Sequence, residues 1–209
     1  MNGMKVLLIN GSPHRTGCTY TALREAADEL EKAGVETEFF HIGVRPVHGC
    51  IACHQCQGKG RCIFDDDPAN ECIARIRQAD GIIVGSPVYY AAPNGALCAL
   101  LDRVFFAASD DFAFKPAAAV VSCRRGGAAS AFDRLNKYFT ISGMPVVSSQ
   151  YWNAVHGNTP DEVRQDAEGL QIMRTLGKNM AWLLQSLRAA KSTVPLPAGE
   201  PRVATNFIR

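Results

Sequence analysis

The chain has 209 residues, 22 Lys+Arg against 20 Asp+Glu and 47% apolar residues, an ordinary globular composition with enough apolar material for one continuous core. Two large domains and extensive disorder are excluded, and a net charge of +2 with no basic run longer than Arg124-Arg125 gives no field for a nucleic-acid or membrane-surface partner. No apolar stretch approaches the roughly 18 residues of a membrane span, and Val6 to Ile9 falls short of a secretory core of about 7–15 residues, so the chain reads as cytoplasmic.

Short runs, mostly apolar and mostly without polar alternation, mark strands buried on both faces. They fall at Val6–Ile9, Glu36–His41, Gly81–Val84, Ala117–Ser122 and Pro145–Ser148. Helical periodicity fills the gaps. Thr19–Ala33 gathers Leu23, Ala26, Ala27 and Leu30 on one face and stops at Gly34. Asp67-Pro68 and Thr159-Pro160 are helix starts, with a carboxylate or hydroxyl to accept from free N–H groups and proline favoured in the first turn. Gly95–Ala107, Ala128–Ile141 and Asp161–Leu187 complete the series. Regular β-α alternation predicts a doubly wound α/β sandwich, a parallel sheet with right-handed crossovers and helices on both faces. Residues 1–190 read as one domain with an irregular, cysteine-rich insertion at 44–67. Residues 191–209 form a tail that is either frayed or, through Phe207-Ile208, an arm on a second subunit.

Three loops leave the carboxyl ends of strands, where open α/β sheets form their ligand crevice. The first, Gly11 to Thr19, is rich in small and hydroxylic residues. It suits either a phosphate at a helix N-terminus or an ordinary capped turn. It matches neither G-x-G-x-x-G nor the P-loop pattern, which disfavours a dinucleotide fold and an ATPase. The second, Gly85 to Gly95, offers Pro87 and the flat rings of Tyr89 and Tyr90. The third, Ser122 to Gly127, combines Arg124 and Arg125 with glycines that permit close backbone approach. Trp152 and His156-Gly157 follow the last strand and read either as crevice closure or as subunit contacts.

Gly11-Ser12-Pro13 with Thr19, Gly85-Ser86-Pro87-Val88-Tyr89-Tyr90 and Leu101-Asp102-Arg103 together resemble the flavodoxin-like NAD(P)H-dependent FMN reductase family over residues 4 to about 150. The resemblance implies a five-stranded sheet in order 2-1-3-4-5, one non-covalent FMN and NAD(P)H as hydride donor. By position, Ser12, His14, Gly17, Cys18 and Thr19 would surround the FMN phosphate. Pro87, Val88, Tyr89 and Tyr90 would line the isoalloxazine, and Cys123, Arg124 and Gly127 would approach its pyrimidine side. His14 and Cys18 depart from the family, which often carries Arg or Lys and Asn there. A homodimer or homotetramer is implied as well.

Four of the eight cysteines crowd into Cys50, Cys53, Cys56 and Cys62, spelling C-x2-C-x2-C-x5-C. Three cysteines at x2 spacing can wrap one face of a cubane, with the fourth thiolate supplied from further along. Zinc suits the spacing less, because its four-cysteine sites usually pair two separated C-x2-C knuckles. The spacing resembles that of the iron–sulfur flavoproteins, a branch of the same family with a [4Fe–4S] cluster near FMN; a loop of free thiols is the other reading. Cys18, Cys72 and Cys98 read as small core residues, and Asp65-Asp66-Asp67 as a helix cap. The expected function is an FMN-dependent oxidoreductase that takes hydride from NAD(P)H and reduces a small acceptor such as a flavin or quinone. The alternatives are an iron–sulfur flavoprotein exchanging electrons with ferredoxin-like carriers, or a flavodoxin-type carrier without enzyme activity.

Overall fold

A computed structural model describes residues 3–201, 203–205 and 207. Five strands run parallel: β1 (Lys5–Asn10), β2 (Glu36–His41), β3 (Gly81–Tyr89), β5 (Ala117–Cys123) and β6 (Ala154–His156), ordered β2-β1-β3-β5-β6. The two-residue β4 (Ala92–Pro93) pairs antiparallel with the end of β3 and stands off this path. Counting the parallel strands alone, the order is the expected 2-1-3-4-5.

Strand alternation divides the core in two. Val6 and Leu8 of β1 face a layer made by α1 (Cys18–Lys32) and α6 (Ala167–Ala190), with Leu23, Ala26, Leu30, Met173 and Leu176. Leu7 and Ile9 face α2 (Ala69–Gln78), α3 (Gly95–Ala108) and α4 (Ala128–Ile141), with Ile73, Ile76, Leu97, Leu101 and Leu135. Both faces of the central strands are therefore dry, which is why their sequences lack polar alternation. α1 and α6 pack so closely that a Cβ on Gly177 would lie 2.4 Å from the Ala26 carbonyl oxygen.

Two expected elements differ. Pro145–Ser148 is not the fifth strand; it makes one isolated bridge, Val146 with Ala117. The chain then bulges away and returns at Asn153, whose carbonyl accepts from Val121 N–H at 2.9 Å. Asn153 is buried, and its Nδ2 donates to the Ala119 carbonyl at 3.0 Å, so a side chain takes the acceptor a continuous strand would have used. β6 pairs Ala154 with Val121, where a strand continuing the register of Val146 with Ala117 would have placed Gln150.

The expected helix Asp161–Leu187 is likewise two, α5 (Pro160–Gln165) and α6. The break is Asp166, whose carboxylate caps α6 by accepting from Gly169 N–H at 2.9 Å and also accepts from His156 N–H at 2.7 Å. Thr159 caps α5 as its sequence suggests. α2 begins at Ala69, one residue later than the Asp67-Pro68 signal, with Asp67 Oδ1 accepting from Ala69 N–H at 3.1 Å.

Between β2 and α2 the chain has no helix or strand, and the four clustered cysteines lie there. After Ala190 the described residues are exposed and outside any helix or strand, Phe207 included, while Ile208 lies outside the described residues. No helix among the described residues is long and apolar enough to cross a membrane.

Candidate functional site

The loop from Gly11 to Gly17 is ordered from within by Asn10, the last residue of β1 and 1% exposed. Asn10 Oδ1 accepts from Ser12 N–H at 3.1 Å, and Nδ2 donates to the Arg15 carbonyl at 3.1 Å. Ser12 is buried and its hydroxyl accepts from His14 N–H at 3.1 Å. Gly17 ends the turn so tightly that a Cβ there would stand 2.9 Å from His14 Cβ. No side chain caps α1 and its first turn holds no acidic residue. The positive end of that helix therefore stays available to an anion, with His14 and Arg15 exposed beside it.

Neighbouring strand ends tie onto this loop. Asn94 Nδ2, from the N-cap of α3, donates to the Gly11 carbonyl at 2.7 Å, and His41 Nε2 of β2 donates to the Ser12 carbonyl at 2.8 Å. The Thr19 hydroxyl is buried against Ser122 of β5 at 2.8 Å, which braces α1 on the sheet. Cys18 is half-buried at the first helical position, and burial pushes its thiol up.

The second wall is a hairpin. Pro87 and Val88 are half-buried, Tyr89 is exposed, and Tyr90 is wholly exposed at the tip. Tyr90 and Ala91 have φ of 50° and 59°, the left-handed values a two-residue hairpin turn demands and normally meets with Asn or Gly. Non-glycine residues held so cost free energy, and such strain clusters at ligand clamps. The turn is pinned to the start of α4: Ser130 Oγ donates to the Ala91 carbonyl at 2.6 Å, and a Cβ on Gly127 would lie 2.7 Å from Ala91 Cα.

Gly127 itself has φ of 87°. Gly127→Ala is thus expected to cost about 2–4 kcal/mol, combining left-handed strain with overpacking against backbone. Urea denaturation checks this, and an unchanged midpoint would refute the contact. Cys123 is buried, its thiol pushed up by that burial, and Arg124 and Arg125 stand in solvent. Tyr151 and Trp152 line a pocket of about 290 Å³ with Phe132 and Ile172 at the β6 edge.

The cysteine loop forms a second centre. Cys50, Cys53, Cys56 and Cys62 line one small pocket with Ile51, Phe64 and Phe106. Ala52 and His54, two of the four residues between the first three cysteines, have φ of 50° and 56°. Backbone in such turns forms the nests that hold anions and iron–sulfur groups. Burial pushes the Cys56 thiol up, and the neighbouring Cys62, Cys50 and Cys53 push it the same way. Among the described residues no three His, Cys, Asp or Glu side chains converge on a single ion.

Cys62 is the best held of the four. Asn70 of α2 clamps its peptide on both sides, Oδ1 accepting from Cys62 N–H at 2.8 Å and Nδ2 donating to the Cys62 carbonyl at 3.0 Å. Beneath it lies Arg103 of α3, ion-paired with Asp67. Asn94, Ser122 and the use of Asp67 beyond capping escape sequence reasoning because each pairs with residues distant in the chain, and Asn10 and Asn70 escape it because they order nearby backbone that is neither helix nor strand. The one available signal was Arg103, a charge inside the apolar run Leu97 to Ala108.

A doubly wound sheet with loops of this kind at its carboxyl edge defines a flavodoxin-like protein. The model of the NADPH-dependent FMN reductase family matches residues 4–159, and the chain belongs to that family. It is an oxidoreductase. An iron–sulfur flavoprotein of Methanocaldococcus jannaschii is 33% identical over 195 residues, covering 88% of this chain and 100% of that protein. Among solved structures, RosB with bound 8-demethyl-8-formylriboflavin-5'-phosphate superposes with a TM-score of 0.70 at 18% identity, covering 99% of this chain and 94% of that one. An archaeal flavodoxin superposes at 0.60 with 16% identity, covering 87% and 99%. These last two show the shared fold.

Proposed function

We propose that the chain holds FMN across the carboxyl-edge crevice, takes hydride from NAD(P)H and passes single electrons outward through a [4Fe–4S] cluster on Cys50, Cys53, Cys56 and Cys62. The observation that carries this reading is the gathering of the four thiols around one pocket, with left-handed backbone between them. The full-length likeness to an iron–sulfur flavoprotein supports it. Bound flavin converts a two-electron hydride donor into a source of single electrons, and the cluster conducts them.

The chain's own residues bind and orient. Ser12, Gly17 and the backbone N–H groups at Cys18 and Thr19 receive the phosphate, with His14 and Arg15 adding donors at the mouth. Pro87, Val88 and Tyr89 provide the flat wall for the ring, and Cys123, Arg124 and Gly127 lie toward its pyrimidine side. Tyr90, fully exposed at the hairpin tip, is offered to a second copy of the chain in a homo-oligomer or to the acceptor. The acceptor is a small molecule or a ferredoxin-like carrier.

Asn10→Ala is expected to weaken FMN retention about ten- to a hundredfold, since it removes two loop-ordering hydrogen bonds worth roughly 0.5–1.5 kcal/mol each and leaves their partners unpaired. Flavin fluorescence titration measures it, and an unchanged affinity would remove the phosphate from this loop. The reading as a whole is tested by anaerobic titration with NADPH and NADH. Bleaching of the flavin bands, reversed by a ferredoxin-type carrier, supports it; failure of both nicotinamides to bleach the flavin sinks it.

A further inference from the structure

Arginine is almost never fully buried, because its guanidinium stays charged. Arg103 is nevertheless 2% exposed beneath the cysteine loop. Nη1 donates to the Asp67 carboxylate, itself 1% exposed at the side chain, and to the His48 carbonyl at 3.3 Å. Nη2 donates to the Phe64 carbonyl at 3.2 Å, and the guanidinium lies over the Phe64 ring at 5.5 Å. These contacts alone balance its charge and anchor the loop. Of the two donors left over, the Nε–H is aimed at a sulfur, donating to Cys62 Sγ at 3.2 Å.

We infer that Arg103 is a positioning residue that raises the reduction potential of the cluster by donating a charged hydrogen bond to the sulfur of Cys62. This rests on the cluster assignment above. The electron that reduces such a cluster adds negative charge, shared with its ligand sulfurs. A cationic N–H donor 3.2 Å from one of them stabilises the reduced form more than the oxidised one. Burial strengthens the effect, since water cannot screen it. Lysine cannot substitute, because a compact ammonium lacks the planar fork that serves a carboxylate, two carbonyls and a sulfur together.

The test compares Arg103→Lys with the parent protein, both purified whole and without oxygen. Iron and sulfide per chain are measured first. Dye-mediated titration with dithionite then follows the electron paramagnetic resonance signal of the reduced cluster, with the flavin midpoint as internal control. A paired Arg103→Gln, Asp67→Asn variant, neutral on both sides of the buried contact, takes its place if the lysine variant does not fold. The expected result is retained iron and an unchanged flavin midpoint. The reduced-to-oxidised cluster ratio at a fixed potential should fall about tenfold, a shift of about 59 mV to more negative values for one electron. Retained iron with an unmoved potential overturns the inference, as does loss of iron from both variants with FMN retained, which would make Arg103 a loop anchor only. Absence of iron from the parent protein would overturn the cluster assignment itself, and the inference with it.

Discussion

Cys56→Ser is expected to strip iron and sulfide from anaerobically purified protein while one FMN per chain remains. Cys56 is half-buried in the pocket that all four cysteines line. A serine hydroxyl at that place does not supply the thiolate that holds iron, and three remaining ligands leave a cubane open to loss. The loops proposed to hold FMN, Gly11 to Gly17, Pro87 to Tyr90 and Cys123 to Gly127, belong to other elements and are braced by Asn10, Asn94 and Ser130. Iron content unaltered by the change would refute the ligand set. Joint loss of iron and flavin would refute the separation of the two centres.

The largest effect on stability is expected at the Arg103–Asp67 pair. Arg103→Met removes the positive partner of a carboxylate that is 1% exposed and leaves it buried without a counter-charge, a change that costs about 3–5 kcal/mol. Pairing it with Asp67→Asn removes the stranded charge and should recover much of the loss, because well-packed neutral groups often replace a buried ion pair at little cost. A double-mutant cycle in urea reads the coupling. Additive effects would show that the two residues do not share a contact.

The fold was legible in the sequence where burial dictates pattern. β1 and β5 lie where their apolar runs lie, since both faces of the sheet are covered there, and β2 lies where expected at the sheet edge with only Phe40 buried. β3 is longer than its apolar run because it continues through buried Gly85 and Ser86 to half-buried Pro87 and Val88 and exposed Tyr89 of the hairpin. The fifth strand was misplaced for a physical reason. Pro145–Ser148 has the composition of a strand, but Asn153, a polar residue no apolar pattern includes, returns the chain to the sheet and sets the start of β6. The single long helix became two because one carboxylate, Asp166, caps α6 where the periodicity runs on unbroken.

At the site, the loops were legible from their small residues, prolines and cysteine spacing. Their internal order was not. Asn94 acts through the Gly11 carbonyl 83 positions away, Asn10 orders irregular backbone within five positions of itself, and the Thr19 hydroxyl, at a helix start, turns inward to Ser122. Arg103 is visible in the sequence as a charge on an apolar helix, yet its meaning depends on Cys62, 41 positions away.

The most direct test of the central claim, flavin and cluster on one chain, is an absorbance spectrum with iron, zinc and sulfide analysis on protein purified without oxygen, before and after NADPH. Flavin bands that bleach with the nicotinamide are expected, together with about four irons and four sulfides per chain, as cubane ligation requires. Flavin that bleaches without any iron, or zinc in place of iron, would contradict the claim.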